Sequence, residues 1–563
     1  MMDNTNANVQ NREWWKEAVV YQIWPRSFKD GNGDGIGDLK GVYEKLEYIK
    51  SLGATAIWFS PLYVSPQKDY GYDIADYRDI APEYGTLDDF KAVLDKAHSL
   101  GLRIIMDLVV NHTSDQHKWF QESRKGGDDN PYKDYYIWRK GRGKNGKKPP
   151  NNWTSMFPGP GWKYDEVRKE YYLHLFAVEQ PDLNMDNPKV REEVKGIMKF
   201  WLDMGVDGFR EDVITLISKK EGLPNGFFAM PAARGMEHYL NGPHIHEYLQ
   251  EFKTVWGDSK YNAMTVGEAP MMKPKLALKY ITPLNNDLNM MFHFQHMECD
   301  CIFLLWVRTR FRLKKLKKVY SNWQNTLYGK GWNALYIENH DQPRIISRYG
   351  SEKFRVESGK MLATMYLGQG GTPFIYQGQE IGMLNIPIDK FEDYPDVSTH
   401  SCRALFKKFG FKDDKLIKIA NQAARDNGRT PVQWGPGKNA DFTTADKPWF
   451  KIHPNYPEVN VEHALKDPDS ILNYYKKLLE IRKNNPIFTY GDFKLHYKNH
   501  KKLFIYERNY QGKKLLVCMN FSETDTKFKS PYDISKAEKL IGNYKESELN
   551  VLKPYEARIY LIK

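Results

Sequence analysis

Three acidic side chains stand at the ends of short apolar segments, where they could take part in acid–base chemistry. Asp212 follows such a segment in GFREDV, Glu268 in AMTVGE and Asp341 in YIENHD. Carboxyl groups held close together raise one another's pKa, so that one can keep its proton near neutral pH while another is ionised. A nucleophile beside a protonated acid is what the hydrolysis of an acetal requires. These residues therefore predict a centre for acetal hydrolysis.

Basic and imidazole side chains accompany the acids. Arg210 precedes Asp212 by two positions, so strand alternation places both on the same side of their strand. We expect Arg210 to lower the pKa of Asp212, and the apolar neighbours of Glu268 to raise its pKa. His112 ends the segment DLVVNH, and His340 precedes the third acid. A single acid at the end of an apolar segment is usually a helix N-cap. That explanation does not account for three acids, two histidines and an arginine at the ends of such segments.

Eight short apolar segments with helical stretches between them would position these residues. The segments are 19–23, 56–59, 103–110, 208–213, 263–266, 290–294, 334–337 and 372–376. Apolar residues at a spacing of three or four in 42–52 and 87–100 are typical of amphipathic helices. Eight buried parallel strands alternating with helices predict an α/β fold, the (β/α)8 TIM barrel, whose chemistry collects at the C-terminal ends of the strands.

Departures from this rhythm predict further units. A stretch rich in Gly, Pro, Lys and Trp, 111–179, reads as a subdomain inserted after the third strand (domain B). The barrel (domain A) then comprises 13–110 and 180–484, with a polar insertion at 378–434 after the eighth strand. Short alternating segments from 485 to 563 predict a C-terminal antiparallel β-sandwich (domain C).

Composition narrows the choice of partners and location. The net charge of +12 is concentrated in 139–148 and 308–318, neither of which forms a nucleic-acid-binding motif, so we expect no nucleic-acid partner. The N-terminal segment MMDNTNANVQNREWW has no apolar core for a signal peptide, and no stretch approaches the ~18 apolar residues of a membrane span. Four cysteines are too few for a disulfide framework and predict reduced thiols in the cytoplasm.

A glycine-rich loop could bind a hard cation. Asp30, Asn32, Asp34 and Asp38 alternate with glycines in the pattern D-x-N-x-D-G-x-G-D. Oxygen ligands at this spacing let a chain curl around a cation, as in the first half of an EF-hand. The twelfth position is Gly41 rather than Glu, so the loop is not an EF-hand, and a simple turn before a helix is the alternative.

Taken together, these motifs identify a family. The chain resembles the α-amylase superfamily, glycoside hydrolase family 13, and within it the oligo-1,6-glucosidase and α-glucosidase group, from about Trp14 to its end. The motifs that carry the resemblance are DLVVNH (107–112), QPDLN (180–184), GFREDVI (208–214), VGE (266–268), NHDQPR (339–344), YQIWPRSFKDGNGDGIGDL (21–39), DYGYDI (69–74) and RDNGRTPVQW (425–434).

The resemblance implies that Asp212 is the nucleophile that forms a β-glucosyl-enzyme. Glu268 would be the general acid and then the base, and Asp341 would stabilise the transition state. A retaining mechanism of this kind needs the carboxyl groups of Asp212 and Glu268 ~5–5.5 Å apart.

The resemblance also implies a pocket and a metal. Substrate would be held by Asp69, Tyr72, His112, Phe157, Phe176, Arg210, Val213, His340 and Arg429. Within this set, Asp69 and Arg429 would close the pocket around the non-reducing end, which implies exo action on a small oligosaccharide. The loop would bind structural Ca²⁺, with the carbonyl of Ile36 as an added ligand.

Specificity depends on one side chain. Val213 follows the nucleophile, and in the resembling group Val at this position accompanies α-1,6 specificity, whereas Thr accompanies α-1,4. The implied activity is the removal of terminal α-1,6-linked glucose from isomaltose and isomalto-oligosaccharides by a monomer or weak oligomer. Trehalose-6-phosphate hydrolase, an α-1,4-preferring or sucrose-active α-glucosidase, and a non-catalytic transporter-associated relative are the alternatives. Glu211 departs from the apolar residue usual in the group. We expect it to point away from Asp212, where a buried acid without a partner would be costly.

Overall fold

Eight parallel strands form the centre of the structure, a computed structural model that describes residues 13–227, 232–302 and 304–562. The strands are β1 (Val20–Ile23), β2 (Ala56–Phe59), β3 (Arg103–Leu108), β4 (Gly208–Glu211), β5 (Met264–Ala269), β6 (Met290–His293), β7 (Ala334–Leu335) and β8 (Thr372–Tyr376). Their order in the sheet is β6-β5-β4-β3-β2-β1-β8-β7. A parallel bridge from Met291 to Asn333 links the two edges, so the predicted (β/α)8 barrel is confirmed.

One helix follows each strand and covers the barrel. These helices are α1 (Leu39–Leu52), α2 (Leu87–Ser99), α3 (Pro188–Met204), α4 (Ile245–Trp256), α5 (Pro274–Ile281), α6 (Leu313–Leu327), α7 (Arg355–Leu367) and α8 (Ile471–Asn484). Their starts follow from local sequence: Thr86 and Asp89 form a reciprocal capping box at α2, and Pro188 occupies the first turn of α3 behind the Asn187 cap.

The ends of several strands differ from the predicted ones. β4 stops at Glu211, so Asp212 lies just beyond the strand rather than at its end. β5 runs on to Ala269 and therefore contains Glu268, while β7 is only the pair Ala334–Leu335. The early end of β4 has a local cause, because Val213 turns the chain with a φ of +35°.

Two insertions stand on the C-terminal side of the barrel. The one after β3 contains a short helix, Lys118–Ser123, and an antiparallel sheet of Trp138–Arg139, Glu170–Leu173 and Trp162–Asp165. The one after β8 contains two helices, Val397–Lys408 and Asp413–Ala423, packed around their own apolar cluster. Further short α-helices are Trp14–Glu17, Ile345–Tyr349, Val461–Lys466 and Ile487–Tyr490. Two short strand pairs are Tyr63–Val64 with Asp76–Ile80 and Cys301–Ile302 with Leu304–Arg308.

The C-terminal unit is antiparallel, as predicted. Its main sheet joins Lys494–His496, Leu503–Tyr510, Lys513–Asn520, Ala557–Ile562 and Glu538–Gly542 in that order. The second layer is only the two-stranded ladder of Thr526–Lys527 and Val551–Leu552. One face of the main sheet packs on this ladder and the other joins the barrel core.

The structure bears on part of the prediction about cellular location. No helix in the described ranges is long and apolar enough to cross a membrane. All four cysteines are buried and unpaired. Residues 1–12, on which the leader-peptide prediction largely rests, and Lys563, the last residue of the predicted domain C, lie outside the described residues.

Candidate active site

Arg210 lies at the centre of the candidate site, where it binds three carboxylates. Its Nη1 is 2.8 Å from Oδ1 of Asp107 and 2.6 Å from Oδ1 of Asp212, and its Nη2 is 2.6 Å from Oε2 of Glu268. β3 and β4 pair in a register that sets Asp107 beside Arg210, and alternation along β4 brings Asp212 to the same side. The predicted nucleophile and acid therefore lie side by side on one guanidinium.

Burial dominates the protonation of this cluster. Desolvation raises the pKa of Asp212 well above its usual range, although Arg210 opposes the shift, and repulsion from Glu268 adds to it. Desolvation likewise raises the pKa of Asp107 to about 6. Arg210 acts on the pKa of Asp212 in the expected direction, but desolvation outweighs it, so the net shift is upward. Three carboxylates around one guanidinium leave an excess of negative charge, which favours the retention of a proton within the cluster.

Val213 has a strained backbone beside these carboxylates. Its φ of +35° is uncommon for a β-branched residue, and such strain persists only where the surroundings enforce it. The turn directs the Val213 N–H at Oε2 of Glu268, 3.2 Å away, and begins the short 3₁₀ helix Ile214–Leu216. Val213 lines the cavity and packs in an apolar cluster with residues of the first insertion.

Asp341 is held as an anion on the opposite wall. Arg425 Nη1 and Arg429 Nη2 lie 3.1 and 3.0 Å from its Oδ1, and Nε2 of His340 lies 3.2 Å from its Oδ2. Burial alone would raise the pKa of Asp341, but His340 and the two guanidinium groups outweigh it and hold that pKa well below its usual range. Asp341 is therefore suited to accept hydrogen bonds from sugar hydroxyls.

The arginine that closes the pocket is not the predicted one. Asp69 forms its ion pair with Nη2 of Arg425, whereas Arg429 donates through Nη1 to Asp396 and through Nε to the carbonyl of His340. Arg429 thus lies behind the wall and braces Asp341 from there. Both arginines belong to the motif RDNGRTPVQW, which explains why the sequence could not choose between them.

Sequence reasoning missed two further acids. Asp396 accepts from Nη1 of Arg429 and forms an ion pair with Arg425, and Asp107 binds Arg210. Asp107 begins the motif DLVVNH and could have been found from it, whereas Asp396 lies in the insertion after β8, where no spacing relates it to the barrel.

Tyr72 and the histidines form a hydrogen-bonded layer around the carboxylates. The Tyr72 hydroxyl donates to Oδ2 of Asp107 over 3.1 Å and lies 2.8 Å from Nε2 of His340, on which its ring stacks. Burial lowers the pKa of His112 to about 4, so this imidazole is neutral near pH 7. Gln180 bridges His112 and Asp69 at 3.1 Å each.

The candidate site opens into a cavity of about 500 Å³. The predicted residues that line it are Asp69, Tyr72, His112, Phe157, Phe176, Asp212, Val213, Glu268 and Asp341. Arg210, His340 and Arg429 are buried behind these residues and orient them. Arg425 joins the lining, and its guanidinium lies 4.9 Å from the centre of the Phe157 ring.

The predicted metal loop makes its own hydrogen bonds. Oδ1 of Asp30 accepts from the N–H groups of Asn32 and Gly33, and Asp38 accepts from Gly41 as the N-cap of α1. Nδ2 of Asn32 donates to Asp34 over 3.1 Å. In the described ranges no group of three or more His, Cys, Asp or Glu side chains is arranged to hold a metal ion. Oδ1 of Asn32 accepts the N–H of Asp34 over 2.9 Å, so a cation would have to share this oxygen.

Comparison with known proteins agrees with this geometry. A family model described as the catalytic domain of α-amylase matches residues 22–491. This chain belongs to the α-amylase family. It is 50% identical to the oligo-1,6-glucosidase of Parageobacillus thermoglucosidasius over 98% of this chain and 99% of that protein.

Solved structures of other members are also similar. Trehalose-6-phosphate hydrolase of Bacillus licheniformis superposes with a TM-score of 0.92 at 44% identity, covering 98% of this chain and all of that one. A mutant isomaltulose synthase of Erwinia rhapontici NX5 in complex with sucrose gives a TM-score of 0.94 at 40% identity, covering 98% and 99%. The chain is therefore a glycoside hydrolase of the α-amylase family, with the barrel fold of these relatives.

Proposed function

We propose that the protein is a retaining, exo-acting α-glucosidase that removes terminal α-1,6-linked glucose from isomaltose and isomalto-oligosaccharides. The observation that carries the proposal is the closed pocket in which Asp212 and Glu268 share Arg210 with Val213 at the wall. The similarity to oligo-1,6-glucosidases at 50% identity over nearly the whole chain supports the same linkage.

Each carboxylate has a role in the reaction. Asp212 attacks the anomeric carbon while Glu268 gives its proton to the departing glycosidic oxygen, which leaves a β-glucosyl ester on Asp212. Glu268, now ionised, takes a proton from water, and the resulting hydroxide equivalent displaces Asp212 to release glucose with its original configuration. Asp341 binds hydroxyls of the same glucose, and its charge opposes the developing positive charge of the transition state.

The ion pair of Asp69 with Arg425 supports removal of a single glucose. It lies across one end of the cavity, with Arg425 also 3.1 Å from Asp341. A wall at this position leaves room for the non-reducing terminal sugar and none for a chain continuing beyond it. The activity is therefore exo.

The lining of the cavity disfavours a phosphorylated substrate. Its charged residues in the described part of the chain are five acids and Arg425: Asp69, Asp212, Glu268, Glu298, Asp341 and Arg425. Arg425 is engaged by Asp69, Asp341 and Asp396, and the undescribed residues 228–231 and 303 are Phe, Ala, Met, Pro and Phe. Trehalose-6-phosphate hydrolase, which would need a cation for its phosphate, is the less favoured alternative. The complete catalytic triad argues against a non-catalytic transporter-associated relative.

The test compares rates on isomaltose, maltose, sucrose and trehalose-6-phosphate with the purified protein. We expect the highest kcat/KM on isomaltose and release of α-glucose, which polarimetry or NMR detects before mutarotation. Turnover of maltose as fast as isomaltose would refute the linkage, and initial release of β-glucose would refute retention.

Val213→Thr tests the residue proposed to set linkage. A hydroxyl on this wall favours the α-1,4 geometry, so the ratio of kcat/KM for maltose to that for isomaltose should rise by about tenfold, which corresponds to about 1.4 kcal/mol. Val213→Ile, which adds no hydroxyl, is the matched control. If the ratio of kcat/KM for maltose to that for isomaltose were unchanged in Val213→Thr, Val213 would not determine which linkage is cleaved.

The proposal extends to a bound calcium ion, the compartment and the assembly. Asp30, Asn32, Asp34, Asp38 and the carbonyl of Ile36 would hold structural Ca²⁺, because hard cations prefer oxygen ligands of this kind. The four unpaired cysteines favour a reducing compartment such as the cytoplasm. A monomer or weak oligomer remains the prediction for the assembly.

A further inference from the structure

A second cavity of about 530 Å³ opens at the opposite end of the barrel. It lies beside the chain that enters β1, β6, β7 and β8, and the connecting helix Ile487–Tyr490 forms one wall. Its volume is close to the 500 Å³ of the active-site cavity and lies in the range of small-molecule sites. None of the catalytic residues contributes to it, and nothing in the proposed reaction uses it.

Asparagine side chains supply the hydrogen-bonding groups of this basal cavity. Asn289 is only 7% exposed, and its Oδ1 accepts the N–H of Thr265 over 2.8 Å. Its amide NH₂ has no hydrogen-bond partner among the described residues, and neither have the side-chain amides of Asn286 and Asn333. All three asparagines line the cavity, and Asn286 and Asn333 are half-buried, so their amides are accessible to donate hydrogen bonds to a bound ligand and to accept them from it.

Aromatic rings form the apolar surface of the same cavity. Trp332 packs edge-on against Trp15 and lies 5.8 Å from Tyr490, which in turn lies 6.1 Å from Tyr510. Tyr328 stands at the mouth, 51% exposed, and its hydroxyl has no hydrogen-bond partner in the described ranges. Rings of this kind present a flat apolar surface with polar edges.

The charges at this cavity nearly cancel. Lys16 forms an ion pair with Glu13 and lies over the rings of Trp15 and Trp332. Lys330 is the remaining charged residue of the lining. An anionic ligand would find little attraction here, whereas a neutral ligand with hydroxyl groups and flat apolar faces would match both the amides and the rings.

We propose that the basal cavity is a second binding site, distinct from the active site, for a neutral gluco-oligosaccharide. One sugar ring stacks at Tyr328 and Trp332, while its hydroxyls bond to the amides of Asn286, Asn289 and Asn333. Binding there requires no catalysis, so it does not depend on the linkage that the active site cleaves.

The test uses the full-length Asp212→Asn protein, which holds its ligand without consuming it. Calorimetric titration with isomaltotriose should give a stoichiometry of two. Adding Tyr328→Ala should weaken one site by about tenfold, which corresponds to the loss of a ring contact of about 1.4 kcal/mol. Tyr43→Ala is the matched control, because Tyr43 is 42% exposed but lies on α1, outside both cavities.

A second readout separates this proposal from the catalytic one. In the otherwise unaltered enzyme, Tyr328→Ala and Asn333→Ala should leave kcat and KM for isomaltose unchanged, while in the Asp212→Asn background each should weaken binding at the basal cavity by about tenfold. A stoichiometry of one in Asp212→Asn would overturn the second site. Equal effects of Tyr328→Ala and Tyr43→Ala would also overturn it, and neither result bears on which linkage is cleaved.

Discussion

Two buried arginines, Arg210 and Arg482, lie at opposite ends of the barrel and show how the partners of a guanidinium group determine its role. At the catalytic end Arg210 binds the carboxylates of Asp107, Asp212 and Glu268. At the base Arg482 donates only to backbone carbonyls, at 2.6 Å from Leu367, 2.7 Å from Gln369 and 2.5 Å from Gly371.

The two environments have opposite electrostatic effects. Acidic partners raise the pKa of Arg210 still further against desolvation, whereas burial among neutral carbonyls lowers the pKa of Arg482 to about 9. Arg482, which lies on α8, donates hydrogen bonds to backbone carbonyls between α7 and β8 and so links that segment to α8. Arg210 concentrates charge where a reaction can use it. Substitutions should therefore separate activity from stability.

The largest effect is expected from Asp212→Asn. The amide cannot attack the anomeric carbon, so kcat on isomaltose should fall by about four orders of magnitude. The isosteric change should leave the melting temperature within a few degrees of the parent. Substantial residual turnover, once contaminating enzyme is excluded by active-site titration, would show that another residue is the nucleophile.

Replacing each buried arginine by methionine tests the comparison itself. Arg482→Met leaves several carbonyls unpaired and should reduce the free energy of unfolding by about 2–4 kcal/mol, with kcat of the folded protein preserved. Arg210→Met should instead abolish measurable kcat, because it leaves the carboxylate cluster without its counter-charge. If both variants lost activity and stability in parallel, the division between the two ends would be wrong.

Glu211 offers a sharper test of burial at the catalytic end. Both of its carboxyl oxygens are buried and have no hydrogen-bond partner among the described residues, and desolvation, with repulsion from Asp287, raises its pKa to about 8. The unfolded chain binds fewer protons here between about pH 4.5 and pH 8, so stability from this group falls as pH rises through that window.

Glu211→Gln should remove this loss. We expect the variant to match the parent near pH 4.5 and to exceed it by about 1–3 kcal/mol at pH 7.5 in denaturant titrations. Glu221→Gln, a change to an exposed acid outside the active-site cavity, serves as a comparison for general charge effects. A stability difference independent of pH would mean that Glu211 is ionised in the folded protein.

The smallest effect is expected at the loop from Asp30 to Asp38. Because this loop already closes on its own hydrogen bonds, added Ca²⁺ should raise the melting temperature by only about 2–4 °C, and a chelator should reverse the rise. Asp34→Asn should abolish the response. A melting temperature indifferent to Ca²⁺ in the parent would count against the proposed ion.

The barrel and the three acids Asp212, Glu268 and Asp341 could be predicted because each depends on a pattern of neighbouring residues in the sequence. Apolar runs mark the strands, and Arg210 with Asp212 follow from strand alternation. What the sequence could not predict depends on contacts between distant segments. The choice of Arg425 over Arg429 as the partner of Asp69 joins positions 356 residues apart, and Asp396 enters from an insertion without a regular pattern. The early end of β4 at Glu211 reflects a strained Val213 that no propensity favours.

The wall made by Asp69 and Arg425 also fixes the order of events in each catalytic cycle. With one end of the cavity closed, both products use the same opening, so the remainder of the substrate must leave before the glucose behind it. Until it leaves, it competes with water for the glucosyl group on Asp212. Free glucose, the last product to depart, should then inhibit competitively, and a high concentration of oligosaccharide should divert the reaction from hydrolysis to transfer.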